Sequence, residues 1–316
     1  MHLFLVILHP LAYDASVRLN LFRELDLLYA ANSEGRQVSL PEPALQYADL
    51  AMWQRGWLVP GTPALRLLID YWTRQLEGEL RPVTLPFARS SPPPAHPEKG
   101  VADVYVTRPT VSKMARFARE QGATQFMFLL ACVKVILHLR TRQTDILVGT
   151  YFGGQSRPEL ADIMGPQTNL VPLRTDFAGN PSFAEVLKRV REVVLEAQAH
   201  QDLPFEELVA ALSSAGKPPP PIEAIFMHTH YQRPVIRLKG LRTKVSRVTS
   251  PQAAWGLSIN FLSRDEDPNF LTGTCVFDTN LHEPAAVQAM MNSIPDLIER
   301  LMAHAHVPLD ELTRAG

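Results

Sequence analysis

The sequence predicts an α/β protein with helices packed on an apolar sheet. Three observations point there: short apolar runs bounded by turn residues, as in Asp145-Ile146-Leu147-Val148-Gly149; stretches of helical spacing, as in Leu19, Leu21, Phe22, Leu25, Leu28 and Tyr29; and the alternation of the two along 316 residues. That length is too great for one small core and suits one large α/β domain or two lobes of ordinary size.

Phe4 to Leu8 reads as a core strand, too short for a membrane span, and the residues from Met1 lack the basic start of a signal peptide. It feeds the loop His9-Pro10-Leu11-Ala12-Tyr13-Asp14-Ala15 and then the first helix, with Gly35 just past its end. After Pro41 and Pro43 come a helical stretch with Tyr47, Leu50, Met52 and Trp53 and another from Pro63 to Leu76. Ser90-Ser91-Pro92-Pro93-Pro94-Ala95-His96-Pro97 is too proline-rich for helix or sheet interior and reads as an exposed connection between lobes.

Beyond it, Asp103 to Val106 is a strand, Val111 to Gln121 a helix ending at Gly122, and Thr124 the N-cap of a long apolar helix from Gln125 to Leu139. Asp145 to Gly149 is a buried strand, and another lies near Asn169 to Arg174. A helix from Ser182 to Ala199 and a shorter one opened by Pro204 follow. Strands are predicted at Ile222 to Thr229, Lys244 to Val248, Trp255 to Phe261 and Leu271 to Phe277, and one closing helix at Pro284 to Met302.

Hydrophobic residues make up 46% and charged residues 20%, the composition of a globular protein with a substantial interior. A net charge of -1 and a pI near 6.8 give no basic excess for nucleic acid or an anionic membrane. Cys132 and Cys275, the two cysteines, sit in apolar runs and read as buried free thiols. They imply a reducing cytoplasm and no metal cluster.

His9 is the first chemical candidate. A His delivered by a strand onto a loop with Asp14 can take a proton from an attacking amine or hydroxyl, while the Asp orients the ring or holds the loop through an ion pair. More often such a His is a hydrogen-bonded structural residue. Pro10 neither shuttles protons nor donates a backbone hydrogen bond. His200-Gln201-Asp202 offers a second imidazole and carboxylate, read here as a helix end tying the loop before Pro204. His228 and His230 alternate along a strand and share a sheet face; no third ligand is suggested nearby, which favours lining a pocket over holding a metal.

Several segments together carry a family resemblance. The loop resembles the H-H-x-x-x-D-G motif of the condensation domains of nonribosomal peptide synthetases, with His9 and Asp14 on the first His and the Asp, Pro10 in place of the second His, which that family uses in catalysis, and Ala15 in place of Gly. Tyr47-Ala48-Asp49-Leu50-Ala51-Met52-Trp53 is similar to Y-x-D-[FY]-A-x-W, and Thr144 to Thr150 followed by Gly154-Gln155-Ser156-Arg157-Pro158-Glu159-Leu160 resembles the family's strand and its G-R-x-R-P-E-L turn. Gly165-Pro166-Gln167-Thr168-Asn169-Leu170-Val171-Pro172-Leu173-Arg174 looks like G-x-[FL]-x-N-x-[LV]-x-[LV]-R, and His200-Gln201-Asp202-Leu203-Pro204-Phe205-Glu206 matches H-Q-D-x-P-F-E.

The resemblance implies a chloramphenicol-acetyltransferase-like sandwich: residues 1–98 as the remnant of an N-terminal lobe with the active-site loop, and 99–316 as a complete C-terminal lobe. The family's first two motifs have no counterpart here, so the chain reads as N-terminally truncated, and the missing half is expected from another polypeptide or a second copy. The implied partners are acyl or peptidyl carrier proteins bearing phosphopantetheine, with no cofactor or metal bound to the domain itself. The implied activity is amide-bond formation between carrier-bound acyl and aminoacyl thioesters of a peptide or hybrid polyketide-peptide assembly line.

On that pattern Asp14 holds its loop through Arg157 or Arg174, Thr168 and Asn169 lie on the floor-loop side, and Leu262 to Phe270 corresponds to a latch between lobes. Trp255-Gly256 falls where the family often has an F-D pair beside the active site, so Gly256 lacks that carboxylate. Two losses at one centre imply impaired or atypical catalysis by a condensation-type domain. The alternative is a catalytically inactive relative that docks carrier proteins or recruits a tailoring enzyme.

Overall fold

A helix buried on every side, with a six-stranded mixed sheet against it, organises the larger part of the molecule. The computed structural model describes residues 2–13, 17–86, 99–153, 158–231, 236, 238–245 and 254–314. Among them, a 3₁₀ turn at Pro10–Ala12 is followed by α1 (Val17–Ser33), α2 (Tyr47–Trp57), α3 (Pro63–Gln75), β1 (Lys99–Val106), α4 (Arg108–Glu120), α5 (Gln125–Thr141), β2 (Asp145–Gly153), β3 (Thr168–Asp176) and α6 (Phe183–Ala199). Then come α7 (Phe205–Ser214), β4 (Ala224–Tyr231), β5 (Leu257–Arg264), β6 (Asp267–Asp278), α8 (Pro284–Asn292), α9 (Ile294–Ala303) and α10 (Leu309–Arg314). The chain forms two units: Met1–Ile69 with Phe152–Asn169 and Arg233–Thr249, and Asp70–Tyr151 with Leu170–Gln232 and Ser250–Gly316.

The second unit holds most of the sheet, ordered β1-β6-β5-β4-β2-β3. β1 and β5 run antiparallel to β6, whereas β4 is parallel to β5 and to β2. In β1, β5 and β6 burial alternates, so one face of each is covered and the other half-open. β2 instead buries Ile146 to Thr150 in succession, the pattern of an inner strand covered on both faces. Against this sheet lies α5, with Met127 to His138 all buried; Thr124 caps it by accepting the Met127 N–H at 3.2 Å. α6 begins with a capping box, the Glu185 carboxylate accepting the Ser182 N–H at 2.7 Å.

Three expected elements differ. Phe4 to Leu8 forms no strand and pairs with none among the described residues, and Leu3, Phe4 and Ile7 are 90%, 74% and 84% exposed rather than core. A strand exists only through a neighbour's backbone, which apolarity alone does not supply. The closing helix is two helices, α8 and α9, interrupted at Ser293. Pro295 sits in the first turn of α9, where its missing N–H costs nothing, whereas in a continuous helix it would remove a backbone hydrogen bond and crowd the preceding turn. The expected strand at Lys244 to Val248 is not formed at its described residues, Lys244 and Val245; the rest, with the proline-rich run, lies outside the described residues.

Candidate functional site

In the first unit, His9 caps the 3₁₀ turn. Its carbonyl accepts the Ala12 N–H at 2.9 Å, and its ring Nδ1 lies 3.1 Å from the Leu11 N–H, which donates to it. A neutral imidazole accepting at Nδ1 carries its proton on Nε2. The exposed nitrogen of His9 is therefore a donor, and acting as a base at Nε2 requires the opposite tautomer and loss of this cap. Asp14 and Arg157 lie outside the described residues.

The segment after β2 is fixed by the early helices of the same unit. Asn20 of α1 donates to the Ala161 carbonyl at 2.9 Å, and Arg23 pairs with Asp162 at 3.0 Å. Gln167 Nε2 donates to the carbonyls of Leu160 and Ile163, both at 3.1 Å, closing the turn that leads to Thr168 and half-buried Asn169. Tyr47 lies over Gly165, where a Cβ would come within 2.3 Å of the Tyr47 ring. The Asp49 carboxylate accepts the Gln46 N–H at 2.8 Å and so caps α2. Two motifs that are far apart in sequence thus meet, with Tyr47 as the packing residue and Asp49 as the cap. Gly165→Ala is expected to destabilise the protein by about 1–3 kcal/mol through overpacking, read as a lowered urea midpoint, with Tyr47→Leu in the same chain restoring part of the loss.

In the second unit Arg174 is fully engaged. Its Nε and Nη2 donate to the Asp145 carboxylate at 3.0 and 2.8 Å, and its Nη1 to the carbonyls of Gln75 and Glu77 at 3.2 and 2.6 Å. The loop it supports is the one following α3. His200 closes α6: its ring stacks on Tyr71 at 3.8 Å, its Nδ1 lies 2.8 Å from the Glu196 carbonyl, and its own carbonyl accepts from Trp72 Nε1 at 3.0 Å. Burial pushes the Tyr71 hydroxyl up to about 12. Gln201 is half-buried and Asp202 exposed, and the arrangement of His200 is that of a helix end.

His228 and His230 do share a face, with ring centres 4.8 Å apart. Between them stands the buried Ser263, 3.2 Å from His228 Nε2 and 3.0 Å from His230 Nδ1. Asp265 Oδ1 lies 3.9 Å from His230 Nδ1. Burial, reinforced by the neighbouring His230, pushes His228 down to about 4. Ser263 escaped sequence reasoning because only strand register, His230 opposite Ser263, brings it there. Among the described residues no group of three or more His, Cys, Asp or Glu is placed to hold a metal ion. Cys132 and Cys275 are buried and unbridged, and burial raises both thiols, Cys275 to about 12.

Trp255 is half-buried beside Gly256. A Cβ on Gly256 would lie 2.9 Å from Glu223 Oε2, so a carboxylate occupies this space although position 256 supplies none. Leu262 to Phe270 comprises the adjoining ends of β5 and β6 with the Asp265-Glu266 turn between them, and Arg108 of α4 pairs with Asp267 at 2.7 Å. No single helix among the described residues is long and apolar enough to cross a membrane.

The larger unit is an α/β fold, a six-stranded mixed sheet with helices on it, and the smaller unit carries an apolar segment running into a His-bearing turn. The chain belongs to the condensation domain family, whose model matches residues 1–315. It is 33% identical over 308 residues to one of the linear gramicidin synthase proteins of Brevibacillus parabrevis, covering 95% of this chain and 6% of that relative, so the chain spans a small part of the relative's length. Its structure is similar to the X-domain from teicoplanin biosynthesis (TM-score 0.84, 24% identity, 96% of this chain and 69% of that one) and to the X-domain in its complex with OxyB (TM-score 0.83, 24% identity, 96% and 68%).

Proposed function

We propose that this chain is a condensation-type domain of a nonribosomal peptide or hybrid assembly line, in which the His9–Pro10 turn supplies no general base to the joining of acyl and aminoacyl thioesters. The observation that carries this is the His9 ring: Nδ1 accepts the Leu11 N–H, leaving Nε2 protonated, while the next position is Pro10. What remains is orientation of two carrier-bound thioesters presented on phosphopantetheine arms. Proximity alone accelerates an intrinsically easy aminolysis, but a positioned base adds about 10²- to 10⁴-fold that is lost here. The exposed apolar run from Leu3 to Leu8 supports a covering polypeptide, another chain or a second copy.

A carrier-to-carrier condensation assay with defined acyl and aminoacyl thioesters tests this. The wild type is expected to turn over slowly, His9→Ala to leave that rate unchanged, and Pro10→His to raise it by about 10²-fold or more. Loss of wild-type turnover in His9→Ala would overturn the proposal.

The likeness to the X-domains favours a second reading, a module that docks carrier proteins and recruits a tailoring enzyme, since one of those structures is a complex with OxyB. That reading expects no turnover in the wild type but measurable binding of a carrier protein or a tailoring enzyme.

A further inference from the structure

We propose that His230, Ser263 and His228 form a one-proton relay on the second unit, linking an imidazole open to solvent or an incoming ligand with one half-buried in the sheet. Parallel pairing of β4 with β5 sets His230 opposite Ser263, and a register shift between Ser263 and Arg264 marks a local irregularity beside the hydroxyl. The Ser263 hydroxyl has one hydrogen and stands within bonding distance of a nitrogen on each ring, so it donates to one and accepts from the other. Asp265 lies on the His230 side, 3.9 Å from Nδ1, and favours a proton on that nitrogen. The relay therefore runs from His230 Nδ1–H to Ser263 Oγ and from Ser263 O–H to His228 Nε2.

A proton taken up at His230 Nε2 from an amine, a hydroxyl or water moves through this relay with the atoms in balance. His230 gives its Nδ1 proton to Ser263, Ser263 gives its own to His228 Nε2, and His230 ends neutral as its other tautomer; burial disfavours the charge on His228, so that state is transient and the proton returns by the same path. Protonating both rings leaves the Ser263 hydrogen without an acceptor and sets two cations side by side, so the cluster holds one proton at a time. Most charged groups on the neighbouring elements have partners of their own, Asp145 of β2 with Arg174 among them. Arg264 lies over the Phe270 ring at 3.9 Å, Asp267 pairs with Arg108, and Glu266 is exposed in the hairpin turn. On α5, Lys134 bonds Leu173 and Thr175 and His138 bonds the Gln143 carbonyl, while β2 pairs with β4 through Gly149 and Ile225 and carries half-exposed Tyr151.

The full chain labelled with ¹⁵N-histidine and titrated by NMR from pH 9 to pH 4 tests the relay without any carrier protein, so its outcome is independent of whether the domain forms amide bonds. Both rings are expected as Nδ1–H tautomers at high pH. Ser263→Ala removes the bond donated to neutral His228 and is expected to raise its midpoint by about half a unit or more and to release the His230 tautomer. Ser263→Thr, which keeps the hydroxyl, is expected to restore both. Nε2–H tautomers on both rings, or midpoints and tautomers unmoved by Ser263→Ala in a folded chain, would overturn the proposal.

Discussion

Replacing Asp145 by Ala is expected to lower the unfolding free energy by about 2 kcal/mol, less than the 3–5 kcal/mol for a fully buried pair because both side chains keep some water contact. The exposures are 23% for Arg174 and 37% for Asp145, between the surface and interior cases. The geometry is the strong kind: two donors of one planar guanidinium on one carboxylate, with the third nitrogen on the carbonyls of Gln75 and Glu77. Removing the carboxylate leaves the cation held only by backbone oxygens and loosens the start of β2 against β3. Urea unfolding measures the loss, and a double-mutant cycle with Arg174→Met should give a coupling of about 1–3 kcal/mol. An unchanged midpoint in Asp145→Ala would remove the pair from the account of stability.

Lys134→Met is expected to flatten the dependence of stability on pH between about 7 and 10.5. Lys134 is wholly buried, and burial pushes its amine down to about 7, with Asp145 opposing the shift. Nζ has two protein acceptors, the Leu173 carbonyl and Thr175 Oγ1, each at 2.7 Å, which match the two N–H groups of a neutral amine; a third, on an ammonium, has no corresponding partner among the described residues. Between the folded value near 7 and the unfolded value of 10.5 the unfolded chain binds a proton that the folded chain does not, so stability rises with pH across that window. Below about 7 both states hold the proton and this contribution is constant. The slope has a ceiling of about 1.4 kcal/mol per pH unit for one proton. Midpoints at pH 7, 8.5 and 10 for wild type and variant measure it, and equal slopes would show that Lys134 stays charged in the folded state. His228 acts in the same sense at acid pH: its folded value near 4 lies below 6.5, so stability falls as pH drops from 6.5 toward 4.

The elements that sequence patterns revealed well are those whose signals are local. Thr124 before an unbroken apolar run, and Ser182 three residues before Glu185, mark helix starts that the structure keeps. The strand at Asp145 and the helix end at His200 were equally legible. What was not legible depends on partners. Leu3 to Leu8 has the composition of a strand and no neighbouring strand among the described residues, and Lys134 hides in an apolar helix because its acceptors come from β3. The same holds at the site: His9 and Pro10 were visible as an altered motif, but only the bond from Leu11 decides which nitrogen of His9 carries the proton. Ser263 and Glu223 belong to no motif, and three-dimensional register alone brings one to the two histidines and the other to Gly256.

The antiparallel partner of β1 is β6, with Lys99 opposite Asp278 and Val106 opposite Leu271. On a ribosome adding about 5–20 residues per second, the edge of β1 waits roughly 10–40 s before its complement is made. During that interval an apolar strand and the face of α5 are present without their final cover, and pairings with other chains compete. Slower translation before β6 should therefore reduce soluble yield, while co-expressed holdase chaperones should raise it.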